Sequence, residues 1–160
     1  MAKIVLATFG SLGDLHPKIA LGIELKKRGH EVTIAAMEYY REKVGLIGLD
    51  FAPMAPHLNT DDRELGKELM DIKSGTERIV RGLIMTSLRQ TFEDLTAAVE
   101  GADALVTGEI VYAAKSVVEI NGLKWISTSL QPGSFLSAHD PFVPPMFTWF
   151  ERFRPLGPIF

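Results

Sequence analysis

Cysteine is absent from the 160 residues. Its absence excludes disulfides, thiolate metal ligands and cysteine nucleophiles, and fits a cytoplasmic protein. Positive charge is not in excess either. The net charge is −3 and the sequence pI is about 5.8. Binding to nucleic acid or to an anionic membrane needs a basic stripe, so neither partner is expected. No apolar run approaches the ~20 residues of a membrane span. The apolar start, Lys3 to Phe9, stops at a glycine turn without a small-residue cleavage pattern, so it reads as a buried strand rather than a signal peptide. His57 and His139 are isolated, without metal-ligand spacing, and no metal site is expected. There is no internal repeat and no low-complexity tract.

What the chain does have is an ordinary globular composition, 46% hydrophobic and 23% charged, with enough length for one core. Lys3 to Thr8 is a short β-rich run that ends at Gly10 and Gly13. Pro17 to Arg28 predicts a helix, with Pro in the first turn and Lys26-Lys27-Arg28 at the carboxyl end. His30 to Ala36 predicts the next strand, completing a unit the size of a βαβ crossover. A short helix from Glu38 to Val44 and a strand near Asp50 to Ala52 follow. Asp62 to Ile72 predicts a helix, as does Thr76 to Val99, whose Ile79, Val80, Leu83, Ile84, Leu88, Phe92, Leu95 and Val99 fall on one face. Met54, Met70 and Met85 are assigned mainly to the core. Ala104 to Thr107 and Trp125 to Thr128 predict strands on either side of a helix from Ile110 to Asn121, which Gly122 ends. This alternation argues an α/β fold, a Rossmann-like doubly wound parallel sheet with helices on both faces.

Residues 1–130 are assigned to that domain. Residues 131–160 differ: six prolines forbid long regular structure, and seven large aromatics are too many to leave in water. Either the tail wraps its own domain or it leads towards a second one.

In open α/β sheets ligands bind beyond the carboxyl ends of strands. Three segments lie there: Gly10 to Pro17, Thr107 to Glu109 and Ser129 to Ser134. In the first, Gly10 and Gly13 allow a tight turn and close approach to the backbone, and the helix that follows offers free amides to an anion. The dinucleotide fingerprint needs Gly-x-Gly-x-x-Gly, and the spacing here, Gly10-Ser11-Leu12-Gly13, fails it. From the residues alone, Asp14 reads as a helix N-cap whose side-chain oxygen accepts from the His16 N–H, since Pro17 has none to give.

Gly10-Ser11-Leu12-Gly13-Asp14-Leu15-His16-Pro17, Ala20-Leu21-Gly22 and Arg28-Gly29-His30-Glu31-Val32-Thr33, in this order, resemble the start of glycosyltransferase family 28. The likeness continues in Gly48-Leu49-Asp50-Phe51-Ala52-Pro53, and more loosely in Ala102 to Val106 and Leu130-Gln131-Pro132. Family members include sterol glucosyltransferases and enzymes that glycosylate antibiotic aglycones.

The resemblance implies a GT-B fold, with two Rossmann-like domains facing across a cleft. This chain would be the amino-terminal, acceptor-binding one, inactive alone, and 131–160 would lead towards the donor-binding domain. The implied chemistry is inverting transfer of a hexose from a UDP- or dTDP-sugar, with no further cofactor, to a hydroxyl of an apolar acceptor such as a sterol, lipid or polyketide. A lipid acceptor would bring peripheral membrane contact. Asp14 would be the base, standing where related enzymes carry His. His16 is a second candidate base, or a first-turn surface histidine. Glu109 would orient or share a proton with the base, or merely favour the start of the next helix. Gly10, Ser11, Gly13 and Ser134 are candidate substrate contacts, the two serines through donor phosphate. Leu12 replaces the family's frequent Arg and removes a possible anion contact. The segment from about 54 to 90 would line the acceptor pocket.

Two other classes compete. A nicotinamide-dependent oxidoreductase would use Glu38 on a ribose, but lacks the third glycine and a Tyr-x-x-x-Lys pattern. A non-catalytic binding module would keep the fold alone.

Overall fold

The computed structural model describes residues 1–58, 62–131, 149 and 152. Five strands form one sheet: β1 (Lys3–Ala7), β2 (Glu31–Ala36), β3 (Asp50–Pro53), β4 (Ala104–Gly108) and β5 (Lys124–Thr128), in the spatial order β3-β2-β1-β4-β5. The β1–β2, β1–β4 and β2–β3 pairings are all parallel. The chain divides into two units, Met1–Ser127 and Thr128–Phe160. Only Thr128 to Gln131, Trp149 and Arg152 of the second are described.

The strand order fixes where a site can form. From β1 the chain steps outward through β2 and β3, then returns to the other side of β1 as β4. The winding therefore reverses between β1 and β4, and such a reversal opens a crevice at the strands' carboxyl ends. Ala7 is in register with Thr107, so the turns after both strands emerge side by side.

Side chains alternate across the strands, and the alternation makes two cores. Leu6, Ile34 and Val106 face α1 (Leu12–Lys27) and α2 (Arg41–Leu46), where they meet Leu15, Ile19 and Val44. Val5, Ala7, Ala35 and Leu105 face α5 (Met85–Ala98) and α6 (Ala114–Asn121), where they meet Leu95, Ala114 and Val117. A Cβ at Gly22 of α1 would lie 3.0 Å from Leu49 Cδ1 and 3.4 Å from Leu6 and Val32 side-chain atoms, so glycine there sets the close approach of helix to sheet.

Helix α1 begins at Leu12, five residues before the predicted start at Pro17. A cap outweighs the preference of proline for a first turn. Ser11 is the N-cap, and Asp14 closes a reciprocal capping box with it. Pro17 then lies inside the helix, where it leaves the Gly13 carbonyl without its usual donor. Likewise α6 begins at Ala114 rather than Ile110, because turns closed by Val111 N–H to Gly108 O and Ala114 N–H to Val111 O come first. Gly122 ends it at φ 65, as expected of a left-handed C-cap.

The predicted helix from Thr76 to Val99 is present but changes pitch. It opens as α4 (Gly75–Glu77), continues as a π-helical stretch over Arg78–Ile84, and becomes α5. The apolar face is split by this change of phase: Ile79 and Ile84 join the α1-side core, while Phe92, Leu95 and Val99 join the other. Before it, α3 (Arg63–Leu69) is capped by Asp62, whose Oδ1 accepts from the amides of Glu64 and Leu65. Of the three methionines assigned to the core, Met54 is buried at 1% exposure, but Met70 and Met85 are exposed.

Lys18 of α1 is buried, at 2% exposure. Burial holds its ammonium below the ordinary lysine range. A lysine whose pKa is lower folded than unfolded opposes folding at neutral pH, and the opposition fades as pH rises through the folded value to ~10.4, the unfolded one. The urea midpoint of wild type is therefore expected to rise relative to that of Lys18→Met between pH 7 and pH 10. A difference that stays constant with pH would contradict this.

Candidate active site

The turn after β1 is built around the Asp14 carboxylate. Asp14 Oδ2 accepts from the Ser11 N–H at 2.8 Å and lies 3.2 Å from Ser11 Oγ. Ser11 Oγ in turn accepts from the Gly13 N–H at 3.2 Å. The expected role of Asp14 as N-cap is thus corrected: Ser11 is the cap, and Asp14 is the reciprocal acid in the first turn of α1, where the helix dipole favours a negative charge. Gly10 has φ +129, a conformation L side chains rarely adopt, and a Cβ there would fall 2.3 Å from Asp14 Oδ2. The glycine lets the backbone lie against the carboxylate.

The amides expected to face an anion have partners within the turn. Ser11 N–H and Gly13 N–H are engaged as above, and Asp14 N–H donates to Ser11 O at 3.0 Å. The positive end of α1 already holds a carboxylate.

A cavity of about 340 Å³ opens beside this turn. Phe9, Gly10, Ser11 and Asp14 form one wall, with Met37 and Ile110 from the turns after β2 and β4. Leu58, Asp62, α3 (through Leu65, Gly66 and Leu69), Met70 at its end, and Ile79 and Leu83 of the π-helical stretch form the rest. The wall is mainly apolar; Asp14 and Asp62 are its charged residues among those described. Asp62 is at once the cap of α3 and part of this wall. Two contacts hold α3 over the cavity: Arg78 to Glu68 at 2.7 Å, and Gly75, where a Cβ would meet the Leu69 carbonyl at 2.2 Å. The loop carrying Leu58 is held to α5 through both backbone groups of Ala55, whose N–H donates to Asp94 and whose carbonyl accepts from Thr91.

The structure brings Gly10, Ser11 and Asp14 to the cavity wall. Gly13 is exposed next to them and does not line it. His16 is exposed on α1 and does not line it either. Glu109 is half-buried in the turn after β4, between the cavity residue Ile110 and Gly108, and its own side chain is not part of the wall. Ser134 and His139 lie outside the described residues. Glu38, the ribose ligand of the oxidoreductase alternative, is engaged by Arg41 at 2.5 and 2.9 Å, which holds its carboxyl below the ordinary range, with a smaller contribution from His57.

A parallel α/β domain with an acid-bearing glycine turn at its switch point is common to many folds, and comparison with known proteins decides among them. Residues 4–119 match the Glycosyltransferase family 28 N-terminal domain. The chain belongs to this family. This family 28 domain is 30% identical over 140 residues to Glycosyltransferase GtfC of Amycolatopsis orientalis, covering 86% of the chain and 33% of that protein. It is 27% identical over 146 residues to the Vancomycin aglycone glucosyltransferase of the same organism, covering 89% of the chain and 33% of that protein. Among solved structures, the Streptomyces sp. SF2575 glycosyltransferase SsfS6 complexed with thymidine diphosphate superposes with a TM-score of 0.62 at 25% identity, over 81% of this chain and 38% of that one. The family 28 domain thus spans about a third of the length of the curated relatives it matches. Its fold is that of the amino-terminal domain of GT-B glycosyltransferases. Among the described residues, no helix is long and apolar enough to cross a membrane.

Proposed function

We propose that this family 28 domain binds the acceptor of an inverting glycosyl transfer and supplies the general base, with a nucleotide sugar held by a further domain. The observation that carries the reading is the Asp14 carboxylate on the wall of a mainly apolar cavity at the sheet's switch point. The apolar wall suits a hydroxylated apolar acceptor, and 340 Å³ is within the range of small-molecule sites. As the acceptor oxygen attacks the anomeric carbon, its proton passes to Asp14, the sugar–phosphate bond breaks, and the nucleoside diphosphate leaves. Carboxylates are weak bases towards alcohols, so proton transfer accompanies attack rather than preceding it. The thymidine diphosphate complex of SsfS6 supports a dTDP-sugar donor, with a UDP-sugar the other arm of the test. The chain alone is expected to be inactive.

Gly66 offers a direct test. It lines the cavity, and a Cβ there meets nothing within 4 Å. Gly66→Trp in the longer protein is expected to fill the cavity and raise the acceptor KM about tenfold or more, roughly the loss of a methylene or two of apolar contact, while donor KM is unchanged. Assays would span UDP- and dTDP-sugars against apolar hydroxylated acceptors. An unchanged acceptor KM would place the acceptor elsewhere, and tight NAD(H) binding by the chain would overturn the transferase reading.

A further inference from the structure

Tyr40 ends a short 3-10 turn (Glu38–Tyr40) after β2 and is buried at 1% exposure. Its hydroxyl donates to the Gly10 carbonyl at 3.0 Å. That carbonyl shares a peptide unit with the Ser11 N–H, the donor to Asp14 Oδ2 at 2.8 Å. The Gly10–Ser11 bond is trans, so carbonyl and N–H point in opposite directions. One peptide plane is thus gripped from both sides, by a buried phenol at its oxygen and by the carboxylate at its nitrogen. The Tyr39 ring lies edge-on to the Tyr40 ring, with centroids 5.4 Å apart, and adds to the fixed setting of the phenol.

We infer that Tyr40 is a positioning residue for Asp14, acting through the Gly10–Ser11 peptide. The inference rests on reading Asp14 as the base. A glycine peptide can flip at little steric cost. A flip here would turn the Ser11 N–H away from the carboxylate and bring the Gly10 oxygen towards it. The Tyr40 hydroxyl opposes that flip by holding the oxygen on the far side. Bonds in series also polarise one another, so the phenol strengthens the N–H as a donor to Asp14. Without it, Asp14 keeps the Ser11 hydroxyl at 3.2 Å but loses the fixed amide that sets its orientation.

The test compares Tyr40→Phe, Asp14→Asn and the double variant in the longer protein, and follows the Ser11 amide by NMR in the 15N-labelled 160-residue chain. Tyr40→Phe is expected to lower kcat about tenfold, the scale of one hydrogen bond, with acceptor KM within about twofold. The Ser11 amide proton is expected to move upfield. In the Asp14→Asn background, Tyr40→Phe is expected to cost nothing further, because the group it positions is gone. A purely structural tyrosine would give the same loss in both backgrounds, and that result overturns the inference, as does an unmoved Ser11 amide. If Asp14→Asn alone were silent, the base reading would fall. That failure is distinguishable, because the amide is read without donor or acceptor.

Discussion

Asp14→Asn in the longer protein is expected to slow glycosyl transfer by about 100-fold or more, the usual range for loss of a general base. The substitution is well suited to separate chemistry from folding. Asn keeps an oxygen that accepts from the Ser11 N–H, so the capping box and the start of α1 survive. What disappears is the proton acceptor and a negative charge at the positive end of the helix, which contributes about 0.3–1 kcal/mol to stability. The melting temperature should therefore fall by a few degrees at most. Acceptor KM should change little, since the apolar wall is intact. Turnover close to wild type would remove Asp14 from the mechanism. His16→Gln serves as the comparison: His16 is exposed and off the cavity wall, so its loss is expected to leave kcat within about twofold.

The parts of this domain that were legible in the sequence are those set by local chemistry. Strands β1, β2 and β4 are legible from short runs that hold β-branched residues, and the end of α6 from Gly122, which takes the left-handed conformation. The start of α1 is less legible, because two signals compete within seven residues. Proline favours a first turn, but Ser11 and Asp14 satisfy two backbone donors at once, and the helix begins where those donors are. The π-helical stretch at Arg78–Ile84 left no trace in the apolar pattern, which reads equally well as one continuous stripe. Its setting is tertiary: Ile79 and Ile84 pack into the α1-side core, while Ile79 and Leu83 also line the cavity.

The site was legible in one half. The glycine turn and Asp14 stand on a contiguous motif, so their proximity is a matter of chain geometry. Tyr40 and Asp62 reach the same place from thirty to fifty residues away, through a fold that pairs β2 with β1 and lays α3 over the crevice. Nothing local in Tyr39-Tyr40 distinguishes the buried phenol from the half-exposed one. Glu109 illustrates the converse. The pairing of β4 with β1 places the Glu109 turn beside the Asp14 turn. Which residue of that turn faces the cavity depends on the twist of the backbone after Gly108, and Ile110 takes the position.

Gly10→Ala is the second large effect, and it couples backbone conformation to the carboxylate. Two costs arise together. An L residue at φ +129 is strained by roughly 1–3 kcal/mol. Its Cβ would also lie 2.3 Å from Asp14 Oδ2 and 2.8 Å from Asp14 Cγ, so the carboxylate must rotate away and give up the Ser11 amide. The expected result is a melting temperature lower by several degrees, at about 2–4 °C per kcal/mol for a chain of this size, together with a kcat loss approaching that of Asp14→Asn. Gly29→Ala separates the two costs. Gly29 also has a positive φ, +84, but a Cβ there meets nothing within 4 Å. It should lose stability comparably and keep its turnover. If both variants lost activity in proportion to stability, the glycine would matter only to the fold. If Gly10→Ala alone lost turnover, the contact of the turn with the carboxylate would be the reason glycine stands there.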